Sequence, residues 1–205
     1  MKTAALIAVA GLASVAAAQS VTVNLTHDDA DSMIFVGESV TWTLSVSFSG
    51  FPAGSAASGG NMAINGNNAL GASTDMAYTP VNGGNAETTT PESGDSNGVG
   101  ITFVSWTNSI FLESFGGGPA IKDNPFVVGT FDFTAGALGT LTYSVVTGQA
   151  TSSFVSVDES AFSTQNFTAG EVAFNIQSLT ITDIPSPASA AMLGLGGLVA
   201  TRRRR

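Results

Sequence analysis

The chain has 205 residues, no cysteine and a formal charge of −9. Lys2 and Arg202, Arg203, Arg204 and Arg205 hold five of the six basic residues, so the long segment between the two ends carries one cation, Lys122, against fifteen acidic residues, a formal charge of −14. That sign excludes nucleic acid as a partner, because phosphates need cationic side chains, and the lack of cysteine excludes thiol catalysis, iron–sulfur clusters and cysteine-based zinc sites and leaves folding to a core without disulfides.

At the start, Met1-Lys2-Thr3 supplies a short positive region and Ala4 to Val15 an apolar one. Ala16-Ala17-Ala18 before Gln19 is a small-residue cleavage site. Together they predict a secretory signal peptide over 1–18, cut by signal peptidase between Ala18 and Gln19. The roughly 165 residues that follow, to about residue 183, suffice for one domain with a sizeable core.

That domain alternates with a period of two. Val40-Thr41-Trp42-Thr43-Leu44-Ser45-Val46-Ser47-Phe48-Ser49 puts large apolar residues on one face and Ser or Thr on the other, which predicts a strand with one buried and one wet face. Val21 to Leu25 opens the domain in the same way. Val99 to Thr107 carries Ile101 and Phe103, with Trp106 as a further candidate, and Phe126 to Thr134 turns Phe131 and Phe133 inward. Thr140 to Thr147 does so with Leu141, Tyr143 and Val145, and Ala135-Gly136-Ala137 reads as a hairpin turn between these last two. Phe154 to Val157 is a short strand. Val172 to Thr182 buries Val172, Phe174 and Ile176, then Leu179 and Ile181; the change of parity predicts a bulge or a change of sheet.

Between Gly50 and Gly100 the composition shifts to Gly, Ala, Ser, Asn and Thr. A loop of that length without structure is rare in a compact domain, so the expectation is edge strands, around Met62–Ile64 and Met76–Tyr78, joined by loops. No stretch predicts an amphipathic helix of convincing length. The fold class expected is all-β: a single antiparallel β-sandwich of about seven to nine strands.

Candidate chemistry is sparse. His27-Asp28-Asp29-Ala30-Asp31 places three carboxylates, Asp28, Asp29 and Asp31, over four positions; these are hard oxygen ligands suited to Ca²⁺, or else a solvated loop. Asp95 and Asn97, two apart before Gly98, read as half of a calcium loop or as a hairpin turn. Asp158-Glu159 is a carboxylate pair, but neighbours on a strand point apart, whereas glycoside hydrolysis needs two carboxylates flanking one bond. His27 is the one histidine, and no Gly-x-Ser-x-Gly turn accompanies it. These observations disfavour an enzyme. Trp106 and Tyr78, near strand ends, are the aromatic residues placed for sugar contact; Trp42 and Tyr143 fall on apolar strand faces and belong to the core.

The chain ends on Ile184-Pro185-Ser186-Pro187, an uncharged apolar run from Ala188 to Thr201, and Arg202-Arg203-Arg204-Arg205. The prolines mark a boundary. The run is short against the ~20 residues that span a bilayer comfortably, and the arginines suit a cytoplasmic end. Pro-x-Pro, a Leu/Gly/Ala helix and a terminal Arg cluster resemble the PEP-CTERM sorting signal of bacterial exported proteins, with Ser186 where that family usually has Glu. The resemblance covers roughly the last 22 residues. It implies a short transmembrane helix that tethers the precursor transiently. It also implies processing near Pro185–Pro187 by an exosortase, an integral-membrane thiol protease, in bacteria that make exopolysaccharide.

A second resemblance covers most of the domain. Val36-Gly37-Glu38-Ser39-Val40 leading into a long alternating strand, and Val128-Gly129-Thr130-Phe131-Asp132-Phe133-Thr134 running on to Leu141, resemble the cohesin-like sandwich domains of exported bacterial proteins. This implies a jelly-roll-like sandwich. It does not bring dockerin binding with it, because no partner-recognising residue matches. The expected function is an exported, non-catalytic envelope or extracellular-matrix protein without a resident cofactor. The alternative is a surface module that binds carbohydrate, such as exopolysaccharide, or depends on Ca²⁺; a hydrolase comes third.

Overall fold

The computed structural model describes residues 18–67, 69–82, 84–85, 94–147 and 154–184. Residues 1–17 of the signal peptide expected over 1–18, and the tail with Pro185, Ser186, Pro187 and Arg202–Arg205, lie outside the described residues. Among the described residues no helix is long and apolar enough to cross a membrane.

In chain order the strands are β1 (Ser20–His27), β2 (Met33–Phe35), β3 (Ser39–Ser49), β4 (Ala56–Gly66), β5 (Gly71–Ser73), β6 (Ala77–Tyr78), β7 (Pro80–Val81), β8 (Gly84–Asn85) and β9 (Ile101–Thr107). After the helix α1 (Ile110–Ser114) come β10 (Phe126–Ala135), β11 (Gly139–Thr147), β12 (Val155–Ser160), β13 (Ser163–Phe167), β14 (Val172–Ile176) and β15 (Ser178–Thr182). One sheet runs β14-β1-β3-β10-β5, with β6 also on β10; the other runs β13-β12-β4-β11-β15-β2, with β9 also on β4. The short pair β7-β8 stands apart.

The alternation in β3 has the consequence the sequence predicts. Val40, Trp42, Leu44 and Val46 are buried while Thr41, Thr43 and Ser47 are half-covered. From the opposite sheet Tyr143 meets Trp42 edge-on at 4.8 Å and Phe131 at 5.9 Å. Each fully buried large side chain contributes about 1.5–3 kcal/mol relative to exposure, so the two inner faces hold the sandwich together.

Four expectations are corrected. The sandwich is mixed, not purely antiparallel: β1 pairs parallel with β14, and β2 with β15. The last two strands change sheet at Gln177, as the parity of Ile176 and Leu179 predicts, and each then runs alongside one of the first two strands in the same direction. Ala135-Gly136-Ala137 is not a hairpin turn. Strand β10 is already hydrogen-bonded to β3 on one side and to β5 and β6 on the other, so β11 crosses to the other sheet and pairs with β4 and β15.

The Gly-rich region supplies the expected edge strands in β5 and β6, which flank β10, but Met62–Ile64 belongs to a central strand: β4 lies between β9 and the β11–β12 line. Its small residues reflect close packing. The Trp106 ring lies over Gly60 so tightly that a Cβ there would sit 2.1 Å from a ring carbon. Finally, Phe174 is not buried but 40% exposed, because β14 is a sheet edge and Phe154, at 5.7 Å, is its aromatic neighbour.

The registers also give the sandwich two distinct ends. At the upper end lie the start of β1 opposite Ser49, the link from β3 to β4, the end of β9 and the β12–β13 turn. At the lower end lie the 28–32 loop, the β10–β11 crossover and the end of β15, where the described chain leaves at Ile184.

Candidate functional site

The residue pattern at the upper end departs from ordinary surface chemistry. Scattered exposed apolar side chains are normal, but a cluster is not. Here Phe111 is 46%, Leu112 40%, Phe115 68% and Phe162 84% exposed. Three of them lie on α1 and just beyond it, and Phe162 lies in the β12–β13 turn. Phe111 and Phe115 are 4.7 Å apart and tilted by 43°, and Phe162 meets Phe111 edge-on at 6.4 Å.

The sequence folds this way because the polar groups around the cluster are spent on holding it. Asn108, fully buried, accepts from the Ile121 N–H at 2.8 Å and donates to the Ile121 and Ala57 carbonyls. Ser109 is the N-cap: its Oγ accepts from the Phe111 N–H at 3.1 Å, a preferred helix-start arrangement. The same Oγ donates to Asp158 Oδ2 at 2.8 Å, which also accepts from the Ile110 N–H at 3.1 Å. Thr164 Oγ1 donates to Asp158 Oδ1 at 2.7 Å. Asp158 is 2% exposed; three donors offset its desolvation.

The helix closes as firmly as it opens. Gly116 takes a φ of +86°, and the Gly117 N–H donates to the Leu112 carbonyl at 2.9 Å, a C-terminal cap that favours glycine. Glu113 turns back to accept from the Ala120 N–H at 3.3 Å and pairs with Lys122 at 3.1 Å. The hydrogen bond from Lys122, then that from Ala120, holds its carboxyl below the usual range. Beside Lys122 is a cleft of about 340 Å³ lined by Phe48, Phe51, Pro52 and Asn124. The result is a crown held by many hydrogen bonds, with its apolar side chains exposed.

Of the residues singled out from the sequence, Asp158 alone is built into the crown. Trp106, a candidate either for sugar contact or for the inner face of its strand, is 1% exposed with its ring over Gly60 and is a core residue; this corrects the assignment to sugar contact. Tyr78 is half-buried, with its hydroxyl accepting from the Ser105 N–H at 3.2 Å. Asp28 and Asp29 brace the lower loop, accepting from the Thr41 N–H at 3.0 Å and the Met33 N–H at 2.8 Å. The Met33 bond is the chief cause of a lowered Asp29 pKa. Asp31 is in the same loop and exposed.

Asp95 and Asn97 belong to a turn: the Asp95 carbonyl accepts from the Thr102 N–H, and Asn97 is bonded to Gly100 through both backbone and side chain. Among the described residues no group of three or more His, Cys, Asp or Glu is arranged to hold a metal ion. Asp158 and Glu159 point apart as expected, the first inward and the second to Gln19 Nε2 at 2.7 Å. Ala18 and Gln19 are exposed, and Gln19 lies at the upper end through that bond; Ala16 is outside the described residues.

The crown itself was missed at the sequence level. Its signal is present: Ser109 as N-cap, Phe111 and Phe115 four apart, and Gly116-Gly117-Gly118 as a stop. Five helical residues are too few for a periodicity to register.

No family model and no curated relative matches the sequence. Among solved structures the chain is similar to the second type II cohesin module of the adaptor scaffoldin ScaA from Acetivibrio cellulolyticus, at 8% identity and a TM-score of 0.49, covering 84% of this chain and 96% of that one. It is also similar to a type II cohesin–X-dockerin complex from the same organism, at 9% identity and a TM-score of 0.47, over 80% of this chain and 100% of that one. A third is the cohesin module of a Clostridium perfringens family 33 glycoside hydrolase, at 11% identity and a TM-score of 0.43, over 80% and 100%.

Proposed function

We propose that this chain is an exported, non-catalytic binding module of the cell envelope or extracellular matrix, which makes contact through its aromatic crown. The observation that carries this reading is the crown: four large apolar side chains held outward while Asn108, Ser109, Glu113 and Asp158 are engaged in fixing them. A surface of that kind desolvates readily on contact, whereas its polar neighbours are committed to structure and are poorly placed for proton transfer.

The ends of the chain supply the route. Signal peptidase removes 1–18 after Ala16 to Ala18, the tail holds the precursor at the membrane, and an exosortase-type protease cuts near Pro185, Ser186 and Pro187 with Arg202–Arg205 as the cytoplasmic stop. Because the described chain leaves the sandwich at the lower end, a tether there holds the crown outermost. Mass spectrometry of the protein from the surface fraction of its native host is expected to find chains that begin near Gln19 and end near Pro185–Pro187. Surface-located chains that retain the arginine terminus would contradict the processing.

A further inference from the structure

We infer that the crown and the cleft beside it dock a protein segment of apolar side chains flanked by Lys or Arg. This deepens the binding-module reading and rests on it.

The rings decide against a glycan. Sugar rings stack on flat aromatic faces presented in line. Phe111, Phe115 and Phe162 instead pack against one another at 43° and 82°, with centroids 4.7 and 6.4 Å apart, so they present an uneven apolar knob rather than one flat face, which suits contact with aliphatic side chains. The cleft of about 340 Å³ between Phe48, Phe51, Pro52 and Lys122 offers a second place for an anchor, and fixed pockets of this kind are where interface energy concentrates.

Area and charge decide against a second copy of the chain. From their exposed fractions the three phenylalanines and Leu112 present roughly 450 Å², against about 800 Å² per partner in a standard stable interface. A crown-to-crown pair would also set like charges against each other: Glu159 lies at this end, Asp123 follows Lys122, and the domain as a whole is strongly acidic. Lys122, the one cation of the 19–183 segment, is already paired with Glu113 at 3.1 Å. An apolar patch on a strongly acidic domain is complementary to an apolar segment with basic flanks, and the −14 charge of the domain steers such a segment toward it.

The test uses the protein as isolated from its host and two labelled synthetic peptides of equal charge. One has Leu and Lys at helical spacing, the other Ser in place of Leu; binding is read by fluorescence anisotropy at about 0.15 M salt, where weak surface electrostatics are screened. The Leu/Lys peptide is expected to bind at least about tenfold tighter than the Ser/Lys peptide, a difference of about 1.4 kcal/mol. Phe115→Ala and Phe162→Ala are each expected to remove most of that difference. Phe174→Ala, on the β14 edge, is expected to leave it intact. Phe162 is a turn residue with 84% exposure, so an unchanged melting temperature shows that its variant is folded.

Equal affinity for the two peptides, or unchanged affinity in both crown variants, would overturn the inference. So would uptake of the protein by neutral phosphatidylcholine vesicles that depends on the same two phenylalanines, since that is the behaviour of a membrane-inserting tip. Failure of the export reading shows separately, in the termini of the native protein.

Discussion

Tyr143 stands between the two sheets, edge-on to Trp42 and Phe131, with its hydroxyl donating to the Val99 carbonyl at 2.9 Å. Burial pushes its pKa up to about 12, whereas in an unfolded chain a tyrosine titrates near 10. The folded state therefore keeps a proton that the unfolded chain releases between about pH 10 and pH 12, so this residue's contribution is intact below about pH 10 and is lost as the pH rises through about 12. Thermal melts across that window are expected to fall more steeply for the native protein than for Tyr143→Phe. Parallel slopes would show that the phenol is not the group responsible. Trp106 gives the same lesson about burial: an aromatic side chain near a strand end can be core when its neighbour, here Gly60, has no side chain to keep it out.

At the level of elements, α1 is too short to be stable from backbone hydrogen bonds alone. It persists because Ser109 caps one end, the Gly116–Gly117 turn closes the other, and Asp158 gathers three donors beneath it. Replacing Asp158 with Ala leaves the Ile110 N–H and two hydroxyls short of an acceptor. The expected cost is about 3 kcal/mol, on the scale of hydrogen bonds to a buried charge, read as a lower denaturant midpoint together with faster hydrogen exchange of the 110–117 amides. A change under about 0.5 kcal/mol, the range of an ordinary surface substitution, would contradict the anchoring role.

Strands such as β3 and β10 were legible because one face is buried and the other wet, which leaves a period of two in the sequence. The change of sheet at Gln177 was legible as a break in that period. Strand β4 was legible only around Met62–Ile64; its Gly59 and Gly60 answer to the close approach of Trp106 and leave no hydrophobic alternation to read. The crossover after β10 read as a hairpin because a Gly-containing link looks the same whether the next strand turns back beside it or passes to the other sheet. The crown stayed hidden for a related reason: outward-facing Phe111, Phe115 and Phe162 look like core residues in a sequence, and only the sandwich shows them exposed among the described residues.

At the scale of the whole molecule, the two ends differ in what they offer. The lower end carries the acidic loop of Asp28, Asp29 and Asp31 and the exit of the chain, and the upper end carries the crown. Strand β4, at 11 residues, sets about 35 Å between them. With one cation among the residues of 19–183, the domain repels its own copies and any anionic surface, and the proposed attachment is through the crown. This arrangement makes one measurement decisive. In the native host, protein carrying Phe115→Ala and Phe162→Ala is compared with the unaltered protein for its division between the surface or matrix fraction and the medium. The variant is expected to be exported and folded but to shift into the medium. Retention equal to that of the unaltered protein would contradict attachment through the crown.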